Sequence, residues 1–90
     1  MGETTLSNAQ IAATLEEVAD LLEFQGANAF RVRAYRNAAR AIGNLSESVA
    51  RLVAEDPHRL TELEGIGASV AEKCVTLVRT GELPQLETLR

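Results

Sequence analysis

The sequence predicts an all-α fold, a compact bundle of four to five short helices, and three observations predict it. Apolar residues recur at three- and four-residue intervals along most of the 90-residue chain, the spacing that places them on one face of a helix. Most such stripes are preceded by a capping residue, and three of them are followed by glycine, the usual start and stop signals. The stretches between stripes are short, as connections between packed helices are.

The elements follow in order. Met1 to Leu6 precede the first signal and are expected to fray. Ser7 or Asn8 caps a first helix to about Gln25, with Ile11, Leu15, Val18, Ala19 and Leu22 as its apolar stripe and Gly26 to end it. Asn28 caps a second helix, Ala29 to Ile42, which buries Tyr35, Ala38, Ala39 and Ile42 and stops at Gly43-Asn44. Ser46 caps a third, burying Val49, Leu52 and Val53. Asp56 and Pro57 open a short helix, because aspartate suits the N-cap and proline the first turn. The last long helix runs from Ala68 to Thr80, with Val70, Cys74, Leu77 and Val78 inward and Gly81 at its end. Leu83-Pro84 begins a final turn or helix to Arg90.

One domain, residues 1–90, accounts for the length, which is near the low end of what one core can stabilise. Aromatic residues are few (Phe24, Phe30 and Tyr35), so the core must be aliphatic. The lone Cys74 leaves no internal disulfide and fits a reducing, cytoplasmic compartment. No apolar run is long enough for a membrane span. His58 has no cysteine or histidine at ligand spacing, and Cys74 falls in an apolar stripe, where a thiol packs as a small hydrophobe. Net charge is −4, which speaks against nucleic acid until its distribution is considered. Four acids and no base lie between Glu16 and Glu23; four arginines and no acid lie between Arg31 and Arg40. The acidic face reads as solvated surface or as a docking face for a basic partner. Arg33, Arg36 and Arg40 share the outer side of the second helix and read as a plain basic face or as a ridge that tracks phosphates.

The stretch Leu63-Glu64-Gly65-Ile66-Gly67 joins the short helix to the last long one. Two glycines around one isoleucine permit a tight turn and a close backbone approach. A helix beginning at once leaves amide N–H groups without partners at the positive end of the helix dipole, an arrangement that suits a phosphate. A simple helix–helix connection needs the same glycines. A dinucleotide-binding loop is excluded, since no β-rich run precedes it and its third glycine is missing.

Residues 57–81, with Leu63-Glu64-Gly65-Ile66-Gly67 at the centre, resemble the helix-hairpin-helix motif of DNA-repair proteins, with Glu64 in place of the usual proline. Phe30-Arg31-Val32-Arg33-Ala34-Tyr35-Arg36-Asn37-Ala38-Ala39, upstream of it, and Thr80-Gly81-Glu82-Leu83, after it, resemble the N-terminal domain of X-family DNA polymerases of bacterial type. The resemblance covers about Asn8 to Leu89. It implies a DNA-binding domain that holds gapped, nicked or 5′-phosphorylated DNA without sequence preference, works as a monomer, and is followed in a parent protein by polymerase domains. This chain lacks the polymerase palm and its metal-binding carboxylates, so it does not polymerise DNA.

Carried over residue by residue, the resemblance places Gly65, Ile66, Gly67, Ser69 and Lys73 at the DNA, beside Arg33, Arg36 and Arg40. It implies that the backbone carbonyls of Thr61, Leu63 and Ile66 hold K+ or Na+ when DNA is bound. It also puts Lys73 where some members carry the lysine that removes a 5′-deoxyribose phosphate through a Schiff base. Only an unprotonated primary amine forms that imine. Ser69, Phe30 and Arg31 stand where the animal enzymes have supporting lysine, histidine and lysine. Three functions therefore remain open at this level: a DNA-binding module, a deoxyribose-phosphate lyase using Lys73, and a protein-interaction module presenting the acidic first helix.

Overall fold

The structure, a computed structural model, describes residues 6–81. Within them the chain forms α1 (Asn8–Phe24), α2 (Ala29–Gly43), α3 (Val49–Glu55), a 3₁₀ helix (Pro57–Glu62) and α4 (Ala68–Thr80), with no strand. None of these helices is long and apolar enough to cross a membrane. The expected elements at Met1–Thr5 and from Leu83 to Arg90 lie outside the described residues. Leu6, expected to fray, packs partly buried against the core.

Both candidate caps of the first helix are used, on different helices. The Ser7 hydroxyl accepts from the Gln10 N–H at 3.1 Å while Gln10 Oε1 accepts from the Ser7 N–H at 2.8 Å, a reciprocal capping box for α1. Asn8 instead reaches across to the start of α3. Its Oδ1 accepts from the Val49 N–H at 2.8 Å and its Nδ2 donates to the Glu47 carbonyl at 2.7 Å. The side-chain cap of α3 is Ser48, not Ser46, and the helix is correspondingly shorter. Two serines two residues apart both satisfy a capping pattern, and the Asn8 contacts with Glu47 and Val49 fall at the second. Asn28 Oδ1 accepts from the Phe30 N–H at 2.7 Å, and Asp56 Oδ1 accepts from the His58 N–H at 3.1 Å ahead of Pro57. The Pro57 helix is 3₁₀ rather than α, as suits a six-residue connector.

α1 packs chiefly on α2, and the 3₁₀ helix on α3 and α4. The predicted stripes form the core: Ile11, Leu15, Val18 and Ala19 of α1 and Ala38 and Ile42 of α2 are wholly buried. Val32 joins them at the start of α2, and Leu60 and Ile66 bring the hairpin region in from the other end. Val78, expected inward, packs only partly buried at the margin. Tyr35 is the one aromatic residue of the core. No charged or polar side chain is buried among the described residues, so the fold rests on aliphatic packing closed by helix caps.

Candidate nucleic-acid interface

The two hairpin glycines do different work. Gly65 has φ +91°, a conformation that side-chain-bearing residues rarely adopt. It also lies against α2: a Cβ there would sit 3.2 Å from Ala41 Cβ and 3.7 Å from the Asn37 carbonyl oxygen. Gly65 thus shapes the turn and lets it dock. Gly67, by contrast, has φ −82° and ψ 169°, ordinary extended backbone. A Cβ there would meet nothing within 4 Å. Gly67 is the N-cap of α4, and no side chain caps that helix. The first main-chain bond across this end runs from the Ala71 N–H to the Gly67 carbonyl at 2.9 Å. The amides of Ala68, Ser69 and Val70 therefore have no main-chain partner within α4, and they lie at the positive end of the helix dipole, where an anion can bind. Ile66 is the buried peg between the two glycines, with its N–H on the Leu63 carbonyl at 3.2 Å.

Around this seat, Ser69 is exposed and Lys73 half-buried on α4, and Glu64 is exposed beside Gly65. Thr61 and Leu63 stand at the C-terminal end of the 3₁₀ helix, and the Leu63 carbonyl, which accepts the Ile66 N–H, keeps a second lone pair. With the Ile66 carbonyl they offer neutral oxygen donors, a set whose chemistry fits a hard monovalent cation. A separate shallow groove between the 3₁₀ helix and α4, about 250 Å³ in volume, brings His58, Thr61 and Glu72 together.

The arginine face is less uniform than its sequence. Arg33 and Arg40 are exposed and form no ion pair among the described residues. Arg36, only one-third exposed, points at α1 and contacts Glu16 at 2.8 Å, Asp20 at 3.0 Å and Glu23 at 2.9 Å. Hydrogen bonding by Asp20, then by Glu23 and Glu16, raises the guanidinium pKa above its usual value against an opposing desolvation. The acidic face of α1 thus holds Arg36 and links α1 to α2, while Asp20 and Glu23 stay 68% exposed. Sequence reasoning missed this because the pairing depends on how two helices are rotated against each other. It also passed over Asn37, which lies between the arginines and Gly65. Phe24 and Phe30, at the corner between α1 and α2, are 89% and 77% exposed. Phe24 falls opposite the α1 stripe at helical spacing, a signal that could have marked it.

Cys74 is wholly buried, and burial pushes its thiol pKa up to about 11. Only about one thiol in a thousand is then ionised at pH 8. A disulfide reagent is expected to leave the native domain unlabelled at that pH and to label it at once in denaturant. Because the folded pKa is raised, the associated stability is complete below the unfolded thiol pKa and is lost as pH rises toward about 11.

Residues 6–83 match the helix-hairpin-helix domain family, and the chain belongs to that family. Helix-hairpin-helix domains are in general DNA-binding units that act without sequence preference. No curated protein matches the chain.

Proposed function

We propose that this domain holds gapped or nicked DNA by seating a backbone phosphate on the open N-terminus of α4, as the amino-terminal module of an X-family-like repair polymerase. The observation that carries the reading is Gly67: an uncapped helix start, in unstrained backbone, with nothing over it. The amides of Gly65, Gly67, Ala68 and Ser69 and the Ser69 hydroxyl would meet the phosphate. Lys73, Arg33 and Arg40 would supply positive charge nearby, with Arg36 holding α2 in place from behind. The carbonyls of Thr61, Leu63 and Ile66 would hold K+ or Na+, which neutralises charge between hairpin and phosphate. Contacts to phosphate carry no base information, so binding is indifferent to sequence. Glu64 and the net negative charge keep the affinity modest. An NMR titration with 5′-phosphorylated gapped DNA is expected to shift Gly65–Ser69 and Arg40. The logarithmic salt slope should rise by about 0.9 for each phosphate neutralised. Shifts confined to Glu16–Glu23, with the hairpin silent, would favour a protein-interaction role instead.

A second reading rests on Lys73, half-buried on the helix that carries the phosphate seat. Its amine would add to the aldehyde of a 5′-deoxyribose phosphate and lose water to form an imine. A base would then remove the C2′ proton as the C3′–O bond breaks, releasing a 5′-phosphorylated strand. Glu72, Glu64 or water could serve as that base. Without the cationic neighbours of the animal enzymes the sugar phosphate is held less firmly, so the aldehyde meets the amine less often. Borohydride trapping on 5′-deoxyribose-phosphate DNA is expected to be weak or at background in the wild type and at background in Lys73→Ala. Strong trapping that vanishes in the variant would make the domain an enzyme.

A further inference from the structure

α4 carries two apolar rows. Val70, Cys74 and Leu77 form the first and are buried in the core. Ala68, Ala71, Val75 and Val78 recur at intervals of three, four and three and form a second row, about 100° further round the helix. Ala71 is buried at its base, Ala68 is exposed, and Val75 and Val78 are only partly covered. The groove of about 250 Å³ beside the 3₁₀ helix follows this row, with Ala68, Ala71 and Val75 on one wall and Pro57 and Thr61 on the other. Ser69 and Lys73 fall on the opposite flank of α4, so the groove faces away from the phosphate seat.

The sequence after α4 has the matching pattern. Gly81 ends the helix at φ +79°, with its N–H on the Leu77 carbonyl at 2.7 Å, a cap that turns the chain out of the helix direction. Pro84 suits the first turn of a new helix. That leaves Gly81-Glu82-Leu83 as the link, and helices joined so briefly lie antiparallel. Leu83, Leu86 and Leu89, outside the described residues, recur every three positions, the spacing of one helical face. A helix from Pro84 to Arg90 is about 10 Å long. Val75 lies about 8 Å back from Thr80 along α4, so an antiparallel helix brings Leu86 to Val78 and Leu89 to Val75. Arg90 then comes opposite Glu72, an exposed carboxylate at the groove with no ion pair among the described residues.

We propose that residues 82–90 fold back as a short amphipathic helix antiparallel to α4, with Leu89 in the groove beside Val75 and Leu86 on Val78. The segment ties the 3₁₀ helix to α4, the two arms of the hairpin, and leaves the side of Ser69 and Lys73 clear. The contact is internal to the domain and stands or falls independently of DNA binding.

The test is NMR of the full chain without DNA, with methyl groups labelled. Nuclear Overhauser contacts are expected from Leu86 and Leu89 to Val78 and Val75. The double variant L86S/L89S should abolish them, move the Cα shifts of Leu83–Arg90 to random-coil values and shift the Ala68 and Val75 methyls. The Ile11 and Ile42 methyls, wholly buried in the core, should hold and show that the variant is folded. Unchanged Ala68 and Val75 signals in that variant, or contacts from Leu89 to another face, overturn the proposal. A mixture of labelled and unlabelled chains identifies the occupant: contacts found only between chains assign the groove to a second copy and overturn the proposal. Cross-linking checks the register. Glu72→Cys with Arg90→Cys should oxidise to an intrachain disulfide about tenfold faster than Ser69→Cys with Arg90→Cys, because only the first pair is held together. Cys74 is wholly buried and takes no part. Equal rates for the two pairs mean a segment with no fixed seat and overturn the proposal.

Discussion

Gly67→Asp is expected to abolish DNA binding while making the domain slightly more stable. The backbone at this position is extended, φ −82° and ψ 169°, as an N-cap residue should be, and the added side chain meets nothing within 4 Å. Aspartate would therefore cap α4, which has no side-chain cap, and place a negative charge at the positive end of the dipole. Together these gain about 0.5–1 kcal/mol. The same carboxylate occupies and repels the phosphate site. Gly65→Ala should do the opposite to stability. A side chain at φ +91° is strained, and its Cβ would press on Ala41 Cβ at 3.2 Å, for a loss of about 1–3 kcal/mol. Pushing the hairpin off α2 should weaken DNA binding too. Adding Ala41→Gly removes the contact but not the backbone strain, so it should restore only part of the stability. Urea unfolding and anisotropy with gapped DNA measure both quantities. Retained binding in Gly67→Asp would mean that the α4 N-terminus is not the phosphate seat.

These two glycines also show where the sequence stops being informative. Both sit in a Gly-x-Gly turn and read alike, yet one is required by φ and by contact with α2 while the other only keeps a surface clear. The helices themselves were legible. The stripes of α1 and α2 buried the expected residues because period alone decides which face turns inward. Period does not say which neighbour the flank of a helix will meet. That is why Arg36 reads as one of three equivalent arginines and is found clasped by Glu16, Asp20 and Glu23. It is also why Asn8 gives no sign that it will cap a helix 41 residues further on. The hairpin motif was legible because it is local: turn and helix start follow from five consecutive residues, whereas the burial of the Ile66 side chain depends on the packed helices around it.

The largest loss of stability that also reports on function is expected from Leu60→Ala. Leu60 is wholly buried and is the single buried residue of the 3₁₀ helix. A 3₁₀ helix has poor hydrogen-bond geometry and does not persist by itself, so its place depends on what it buries. With Ile66, which is 4% exposed, Leu60 is one of two pegs that fix the hairpin to the core. Truncation should cost about 2–5 kcal/mol, a large part of the roughly 5–15 kcal/mol that holds a domain together. The useful comparison is Leu22→Ala. Leu22 is 3% exposed in α1 and should cost a similar amount, but α1 packs chiefly on α2. Measured at low temperature, where circular dichroism shows each variant folded, Leu22→Ala should bind gapped DNA as wild type does. Leu60→Ala should bind several-fold more weakly, because a hairpin free to shift presents its amides in the seating geometry less often. Hydrogen exchange should show the difference directly, with protection lost at Leu63 and Ile66 in Leu60→Ala and kept in Leu22→Ala. Equal DNA affinity in the two variants would show that the hairpin holds its shape without its peg, and the phosphate seat would then owe its geometry to the Gly65 contact with α2 alone.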